Sequence, residues 1–558
     1  ADKVVLTSDN PRSEDPEAIL DEVEVGLRDL PEGVRMVEAW RDVDRATAIE
    51  RAVREAQAGE VVLVAGKGHE TYQEVAGVRR PFDDVLESAR ALAARAGGPR
   101  FHTDRLVAVA QGDRVQGAAR PFDGVSIDTR TLKPGDAFFA LRGPNFDGHR
   151  FLEKALAGGA AVLVVEAGHP ALAELRVGDA TVVAVADVQG ALQALAAAHR
   201  AAFYGTVVAL TGSSGKTTTK ELLAAVLEAA GPTHKTPGNL NNHLGLPLTL
   251  LGLRPEHRFA VVELGMNHAG EIAALAALAR PTVGVITSVG EAHIEHLGSV
   301  AAIARAKGEL LDALPADGLA ITPSGIRHEG ELVAGLRAPR WTVGPAAGDR
   351  VGIRAPRSTA AGVACDLVVD GRVHPLTLQL AGAHNLSNAA LAVAAGLALG
   401  VTPQRAVQAL ASVAPPRLRG EIRALPDGGS VVLDCYNANP QSMRAAAETF
   451  TAAHPQGWLV LGDMLELGTG GPALHADVGR WLAAQAPLAR ILAVGALAAE
   501  LAAGARTAGA AHVWAVADVD TAVRTLRTER APGAPVLLKA SRGMALERVW
   551  ALLSQEGA

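Results

Sequence analysis

Residues 206–221, TVVALTGSSGKTTTKE, constrain the local fold more than any other stretch, because they read as strand, anion-binding loop and helix in immediate succession. Thr206–Leu210 is short, apolar and β-branched, which predicts a buried strand. Leu222, Leu223, Val226 and Leu227 recur at helical spacing and predict a helix over Lys220–Ala230. Between them Gly212 and Gly215 let backbone N–H groups approach an anion, Lys216 supplies a point charge and the Thr217 hydroxyl a Mg²⁺ ligand. Gly212, Ser213, Ser214, Gly215, Lys216, Thr217 and Thr218 are therefore the candidate ATP-binding loop. The strict eight-residue pattern asks for Gly at 210, where this chain has Leu210, so the motif is the shorter T-G-x-x-G-K-T form.

At 558 residues the chain exceeds what one core holds, and about three or four domains are expected. With 53 basic and 60 acidic side chains the net charge is −7, which gives no footing for nucleic acid or an anionic membrane surface as partner. Cys365 and Cys435 make no metal-ligand spacing and are expected to be buried thiols in a reducing, cytoplasmic setting. The Ala-rich stretches are broken by charges such as Arg200, so no membrane insertion is expected. The first residue is Ala1 rather than Met, and a predicted strand (Lys3–Thr7) follows at once, so the expectation is of a chain cut from something longer.

Two distant stretches look alike: DVDRATAIERAVREAQAGEVVLVAGKGHE from Asp42, and DVDTAVRTLRTERAPGAPVLLKASRGMALE from Asp518. In each, Asp-Val-Asp is expected to cap a short helix, a Gly turn follows, and a β-branched strand runs into a Gly-containing loop, where open α/β sheets place ligands. The pattern predicts the tails of two related domains. ALAARAGGP (91–99) reads as a helix end and linker, placing a boundary near residue 98. Strands are then expected at Gly124–Asp128, Ala137–Leu141, Ala161–Val165 and Thr181–Val185. Pro415-Pro416 marks a further break near 413, followed by strands at Val431–Asp434, Trp458–Gly462, Ile491–Val494 and Val536–Ala540.

A phosphate loop needs a metal system. Phe259–Val262 is an apolar run ending at Glu263, and a carboxylate at a strand end beside such a loop is placed to hold Mg²⁺. A strand over Pro281–Ser288 delivers GEAHIEHLGS, where His293 suits a second Mg²⁺ ligand and His296 a supporting or surface position. Zinc is the alternative, weakened by the absence of a third soft ligand. Lys307, in the following helix, reads either as a solvated cation or as a buried lysine neutral enough to form a carbamate with CO₂. His384, Asn385 and Asn388 open an Ala-rich helix, where Asn serves either as a cap or as the lining of a base pocket. Asp434, Asn437 and Asn439 lie at a strand's C-terminal end.

Residues 101–558 resemble the muramyl ligases of peptidoglycan synthesis along their whole length. The likeness rests on SIDTR with GPNFDGH, TGSSGKTTTKE, GNLNNHLGLPLTLL, VELGMNHAGEI, SVGEAHIEHLGS followed by AKGEL, GAHNLSNAALA, LDCYNANPQSM, LGDMLELG and KASRGMALE. The resemblance implies an α/β fold of three domains: a UDP-sugar-binding domain (101–202), a central ATPase domain (203–413) and a Rossmann-like C-terminal domain (414–558). It implies that Glu263, His293 and Lys307, the last as a carbamate, hold Mg²⁺ with Thr217. It also implies that Asn385, Asn388, Arg419 and Asp434 contact the nucleotide. Ser126, Asp128, Thr129 and Arg130, with Asn145 to His149, are the expected UDP-sugar residues. Two departures stand out: ITPSGIR (321–327) lacks Asn and Asp often found there, and Ala540 replaces a commoner Gly.

Residues 1–97 resemble the last part of the C-terminal domain of the diaminopimelate-adding member of the same superfamily, on TSDNPRSEDP and VLVAGKGHETYQ followed by FDD. This implies an N-terminal partial Rossmann-like segment in which Asn10, Arg12, Gly66 and Glu70 correspond to residues that hold meso-diaminopimelate. The whole then resembles the remnant of a bifunctional fusion, with a first segment not catalytic by itself, and a docking platform as its alternative role. The activity implied for the rest is ATP-dependent joining of D-Ala-D-Ala to a UDP-muramyl tripeptide through an acyl phosphate, Lys216, Glu263, His293 and Lys307 carrying the chemistry, in contact with other peptidoglycan-synthesis enzymes. A folylpolyglutamate synthetase shares the short loop and the acyl-phosphate chemistry, but SIDTR ahead of the loop argues against it.

Overall fold

A computed structural model describes residues 3–28, 38–57, 59–68, 70–75, 77–96, 100–144, 146–173, 175–359 and 362–555. Three large sheets follow one another along the chain. The first has five strands in the order Asp113–Gln116, Thr181–Val185, Val162–Glu166, Ala137–Phe139, Val125–Ser126; all pairs are parallel except the first. Val162–Val165 and Val182–Val183 are almost wholly buried, the two-faced burial that makes parallel strands continuous apolar runs.

The second sheet has nine strands. Six parallel strands run Thr233–Lys235, Phe259–Glu263, Thr206–Thr211, Val283–Ile286, Leu319–Pro323 and Arg340–Gly344, and Val351–Thr359 continues them into an antiparallel meander with Gly362–Val369 and Arg372–Leu378. Thr206–Thr211 is central, so the loop at its C-terminal end opens between Glu263 and Thr287. The helix after that loop spans Lys216–Glu228 and begins four residues before the expected Lys220. Its first turn carries anion-binding polar residues, so the apolar period becomes visible only from Leu222. Leu222, Leu223, Val226 and Leu227 are fully buried against helix His384–Ala398 and the sheet, each burial stabilising by about 1.5–3 kcal/mol.

The third sheet runs Glu421–Ala424, Ser430–Leu433, Val536–Lys539, Trp458–Gly462, Arg490–Val494, Val513–Val516, parallel but for its first pair. Every expected strand of the three sheets is present, with ends shifted by a residue or two. Cys365 and Cys435 are buried free thiols, their pKa pushed up by burial to about 11 and about 12. Among the described residues no helix is long and apolar enough to cross a membrane.

The first 97 residues depart from expectation in two ways. Both Asp-Val-Asp sequences cap helices, Arg45–Glu55 and Val519–Glu529, but with different members: Asp44 accepts from the Thr47 N–H, whereas Asp518 accepts from Thr521. The sequence likeness is thus out of register by two residues at the cap. Second, the strand expected after the first helix does not form: residues 61–65 belong to no sheet, and Val61 and Leu63 are 91% and 85% exposed. Among the described residues, the only sheet there besides the hairpin Tyr72–Val75 with Val78–Pro81 is the parallel pair Lys3–Thr7 with Glu38–Asp42.

What fixes this segment is ionic as much as apolar. The Arg45 side chain is buried and donates to both Asp84 carboxylate oxygens (2.7 and 2.6 Å) and to the Ala65 carbonyl (2.8 Å), beside a small cluster of Ile49, Val53 and Ala91. Asp84→Ala strands a buried guanidinium, at a cost of about 3–5 kcal/mol. The expected result is faster hydrogen exchange in helices Arg45–Glu55 and Asp84–Ala96 with exchange in residues 206–396 unchanged. Unchanged exchange in the two helices would show that the pair is not holding them.

Candidate active site

The phosphate loop is set by two close approaches. A Cβ on Gly212 would lie 1.9 Å from the Thr287 hydroxyl. Gly215 adopts φ +84°, and a Cβ there would lie 2.6 Å from Asn388 Oδ1, so both positions require glycine. Leu210 takes the place of the motif's first Gly without cost. It sits inside the strand, fully buried in the core with Leu222 and Val226, and the turn begins only after Thr211. Ser213 and Ser214 are tied to the neighbouring strand's loop, Ser213 Oγ donating to the Gly290 carbonyl and the Ser214 N–H donating to Ser288 Oγ.

Lys216 donates to the Gly212 carbonyl at 2.6 Å, curled over its own loop. Burial lowers its pKa, which Glu263 partly restores. Glu263 is 2% exposed, and each of its carboxylate oxygens accepts one hydrogen bond, from the Thr217 hydroxyl (3.0 Å) and from Asn241 Nδ2 (2.8 Å). No cationic side chain pairs with this buried carboxylate among the described residues, an arrangement that suits a divalent cation. Lys307 is 1% exposed, and its ammonium has no hydrogen bond or ion pair among the described residues. Desolvation, reinforced by Lys216, pushes its pKa well below the usual lysine value. It is thus a buried amine, not a solvated cation.

His293 adopts φ +61°, and its Nδ1 lies 2.8 Å from a carboxylate oxygen of Glu466, which comes from the third sheet's loops. The imidazole holds the Glu466 carboxyl below its ordinary value. His296 is exposed and lies against the His268 ring at 4.6 Å. Among the described residues these histidines and glutamates form no three-ligand cluster, so the zinc alternative has no geometric support. Among the described residues the one such cluster is Asp147, His149 and His169.

A cavity of about 710 Å³ joins the second and third sheets. Ser213, Ser214, Gly215, Lys216, Thr218, Asn385, Asn388, Arg419 and Asp434 all line it. Asn385 and Asn388 are not helix caps: Asn385 donates to the Ala381 carbonyl and Asn388 to Asn385, so the pair is buried as a unit under Gly215. Thr217 and Arg419 also face a second cavity of about 630 Å³, where the Arg419 guanidinium stacks 4.2 Å over Tyr436. ITPSGIR, the divergent stretch, contributes Pro323 to Arg327 to the first cavity.

Sequence reasoning left several participants out of the candidate set. Asn241 sits in the Asn-dense loop but was not singled out there; its role follows from Glu263. Asn439, placed by the sequence only at a strand's C-terminal end, caps helix Pro440–Ala453 and also points its Nδ2 at the Ser214 hydroxyl, 3.2 Å away. Lys539, buried, donates to Asp434 at 2.8 Å and to the Asn437 carbonyl. Glu466 carried no signal except its place in LGDMLELG.

In the first sheet, Asp128 is chelated by Arg130, whose guanidinium draws its pKa down to about 2, and Ser126 Oγ donates to the Asp128 carbonyl. Thr129 is half-buried between them, and Asn145 lies outside the described residues. His149 is buried, with Nδ1 donating to Asp147 and Nε2 accepting from the Glu166 N–H. His169 stacks on it at 3.9 Å and reaches the other oxygen of Asp147. Burial opposes the Asp147 charge, but the two imidazoles and the His149 N–H outweigh it and leave the pKa at about 2. Both His149 nitrogens are engaged, so it braces the loop around Asp147.

In the first segment Asn10 Nδ2 donates to Glu70 at 2.7 Å, and Lys67 reaches Asp9 at 3.1 Å. Gly66 (φ +121°) and Arg12 (φ +55°) both adopt left-handed backbone conformations. Arg12 donates its N–H to the Glu74 carbonyl, next to the Asn10 contact with the Glu74 N–H.

Comparison with known proteins matches three Mur ligase families. The Mur ligase middle domain covers residues 210–396, and the Mur ligase family catalytic domain covers 121–200. The Mur ligase glutamate ligase domain matches twice, over 1–68 and 418–542. The UDP-N-acetylmuramoyl-tripeptide–D-alanyl-D-alanine ligase of Bacillus subtilis is 35% identical over 76% of this chain and 92% of its own length. That of Escherichia coli is 36% identical over 79% and 96%. MurF from Acinetobacter baumannii superposes with a TM-score of 0.73 at 33% identity, over 81% of this chain and 98% of its own. The Thermotoga maritima MurF ligase, solved in complex with ADP, gives 0.67 at 27%, over 78% and 97%. With its three-domain α/β architecture, the chain belongs to the Mur ligase family of ATP-dependent amide ligases.

Proposed function

We propose that this chain joins D-alanyl-D-alanine to UDP-N-acetylmuramoyl-tripeptide at the expense of ATP, giving the UDP-muramyl pentapeptide for peptidoglycan in the cytoplasm. The observation that carries the reading is the convergence on one cavity of the phosphate loop and the C-terminal residues Asp434, Asn439 and Lys539, with the buried carboxylate of Glu263 held by the Thr217 hydroxyl at the start of the loop's helix. Relatives named for this activity are matched over more than nine-tenths of their length.

A carboxylate is a poor electrophile, so the tripeptide terminus must first take the γ-phosphoryl of ATP as an acyl phosphate. Lys216 and the N–H groups of 213–217 are assigned to the phosphates, and Asn385, Asn388, Arg419 and Asp434 to the nucleotide's remaining parts. Thr217, Glu263, His293 and Lys307 are assigned to Mg²⁺, which when bound offsets charge on the transferring phosphoryl group. The protein's own part is positioning and electrostatics. The dipeptide amine, with a reference pKa of about 8, attacks the acyl carbon as the free base; the C–N bond forms, the acyl–oxygen bond breaks, and phosphate and a proton leave. Ser126, Asp128, Thr129, Arg130 and Asn145 to His149 are assigned to the UDP-sugar, within units 101–202, 203–413 and 414–558.

Residues 1–97 are read as part of a second C-terminal ligase domain of the diaminopimelate-adding kind, with Asn10, Arg12, Gly66 and Glu70 as its amino-acid residues. The segment is the remnant of a fusion of two consecutive enzymes and is not catalytic alone. Its double match to one family, shared with 418–542, supports this.

The test is phosphate release from ATP and Mg²⁺ with UDP-muramyl tripeptide, with and without D-Ala-D-Ala. Release that needs both substrates is the expected result; release indifferent to the dipeptide would overturn the assignment. Glu466→Gln adds a sharper check. Glu466 is half exposed, so losing its contact with His293 is expected to lower kcat about tenfold while leaving the thermal midpoint unchanged. An unaltered kcat would remove the third-sheet loop from the metal site.

A further inference from the structure

The loop after Trp458–Gly462 delivers Glu466 to His293, and both residues hold left-handed backbone angles, φ +63° and +61°. Such angles cost free energy in residues with a Cβ and persist only where the surroundings impose them. Ahead of Glu466 stand three consecutive anchors on three different elements. Asp463 Oδ1 accepts from the Ala498 N–H at 2.6 Å, the Met464 N–H donates to His475 Nε2 at 2.9 Å, and the Leu465 N–H donates to Ser541 Oγ at 2.9 Å. Glu466 follows at once, its side chain 52% exposed and its carboxylate 2.8 Å from His293 Nδ1. Beyond it Gly468 (φ +59°) lies so close to the short helix Ile294–Leu297 that a Cβ there would stand 3.1 Å from Glu295.

Of the three anchors, His475 is the one whose chemistry changes nearest neutral pH. It is wholly buried, on helix Gly471–Gln485. Its Nδ1 lies 2.7 Å from the Gly471 carbonyl, which can only accept, and its Nε2 faces the Met464 N–H, which can only donate. These partners fix one tautomer: Nδ1 carries the proton and Nε2 the lone pair. A second proton, on Nε2, would set N–H against N–H and release Met464. Burial lowers the His475 pKa against the opposing pull of the Gly471 carbonyl, Asp463 and Glu500. The charges nearest in sequence on its own helix, Asp477 and Arg480, pair with each other at the surface.

We propose that His475 is a positioning residue for the ligase reaction: as the neutral imidazole it pins Met464 and so holds the Glu466 carboxylate on His293. It acts through Met464 and not on the reacting atoms. The inference rests on the assignment of His293 to the metal side of an ATP-dependent ligase.

Two variants of the full chain test it. His475→Gln keeps an acceptor for the Met464 N–H and takes up no proton, whereas His475→Leu has no acceptor. With ATP, Mg²⁺, both substrates and excess bicarbonate, His475→Leu is expected to lower kcat about tenfold at unchanged KM for ATP, and His475→Gln to stay within about twofold of the parent. Adding Glu466→Gln to His475→Leu is expected to cost nothing further, because both changes break one contact. As pH falls below about 6.5, the ordinary imidazole value, parent turnover is expected to drop more steeply than that of His475→Gln. Full turnover in His475→Leu, a loss additive with that of Glu466→Gln, or parent and His475→Gln profiles that coincide down to the pH of unfolding overturns the proposal. The profile of His475→Gln decides alone if His475→Leu does not fold. Amide exchange needs no turnover: Met464 protection is expected to fall about tenfold or more in His475→Leu and to persist in His475→Gln, and equal protection in both removes the anchor. A parent that releases no phosphate sinks the ligase reading, while Met464 exchange still decides the anchor.

Discussion

Lys216→Ala is expected to lower phosphate release by about a hundred- to a thousand-fold, the effect of removing one preorganised charge from a transition state, with little change in thermal stability. Among the described residues the side chain makes a single internal hydrogen bond, to the Gly212 carbonyl, and that bond holds no secondary structure together. The loop is instead fixed by contacts that do not involve it: Gly212 against Thr287, Gly215 over Asn388, and the two serines on Ser288 and Gly290. The variant therefore isolates charge from scaffold. Burial lowers the Lys216 pKa, so its ammonium is more easily lost than an ordinary lysine's, and a bound triphosphate is expected to raise it. Measured as single-turnover phosphate release at saturating tripeptide and dipeptide, activity within a few-fold of the parent would place the phosphates elsewhere.

The strand–loop–helix at 206–228 was legible because its chemistry is local: glycines, a lysine and a hydroxyl must be consecutive to wrap one phosphate group. The same holds for the parallel strands, whose burial on both faces writes continuous apolar runs such as Val162–Val165. The strand predicted at 61–65 failed for the converse reason. Its residues have the composition of a central strand, but pairing is non-local, and composition cannot report whether neighbours exist. Long-range partners at the site escaped likewise. Asn241 meets Glu263 across 22 positions, Asn439 meets Ser214 across 225, and Glu466 meets His293 from a different sheet. None carries a spacing signal. His149 illustrates a subtler limit: its place in GPNFDGH marks a functional loop, yet the side chain is spent on Asp147 and the Glu166 N–H. The Asn pair at 385 and 388 resembles a helix cap in sequence, and only the approach of Gly215 explains why two amides are buried there.

Lys307→Gln is the second large effect, expected to lower turnover by about a hundredfold or more. Lys307 lies on helix Val300–Asp312 among fully buried neighbours, Ile303, Leu310 and Leu311, and no carboxylate pairs with it among the described residues. An ammonium in that setting is costly, and desolvation plus the nearby Lys216 pushes the group towards the neutral amine. The free amine is the species that adds CO₂: its lone pair forms the N–C bond, one proton is released, and the product is an anionic carbamate. That anion turns an uncompensated buried cation into a partner for the charge expected at Glu263 and Thr217. The pH dependence follows in sign. Because carbamylation releases a proton, acidification returns the lysine to its uncharged and then its protonated form, so activity at limiting CO₂ is expected to fall with decreasing pH and to recover on adding bicarbonate. Labelling with ¹³C-bicarbonate is expected to give one carbamate carbonyl resonance in the parent protein and none in Lys307→Gln. Lys307→Arg, permanently charged and unable to form a carbamate, is expected to be as inactive as the glutamine variant and less stable, because it leaves a buried cation unpaired. Full activity after CO₂ is stripped, together with no labelled resonance, would leave Lys307 as a neutral amine and return the third metal-side charge to Glu263 and His293 alone.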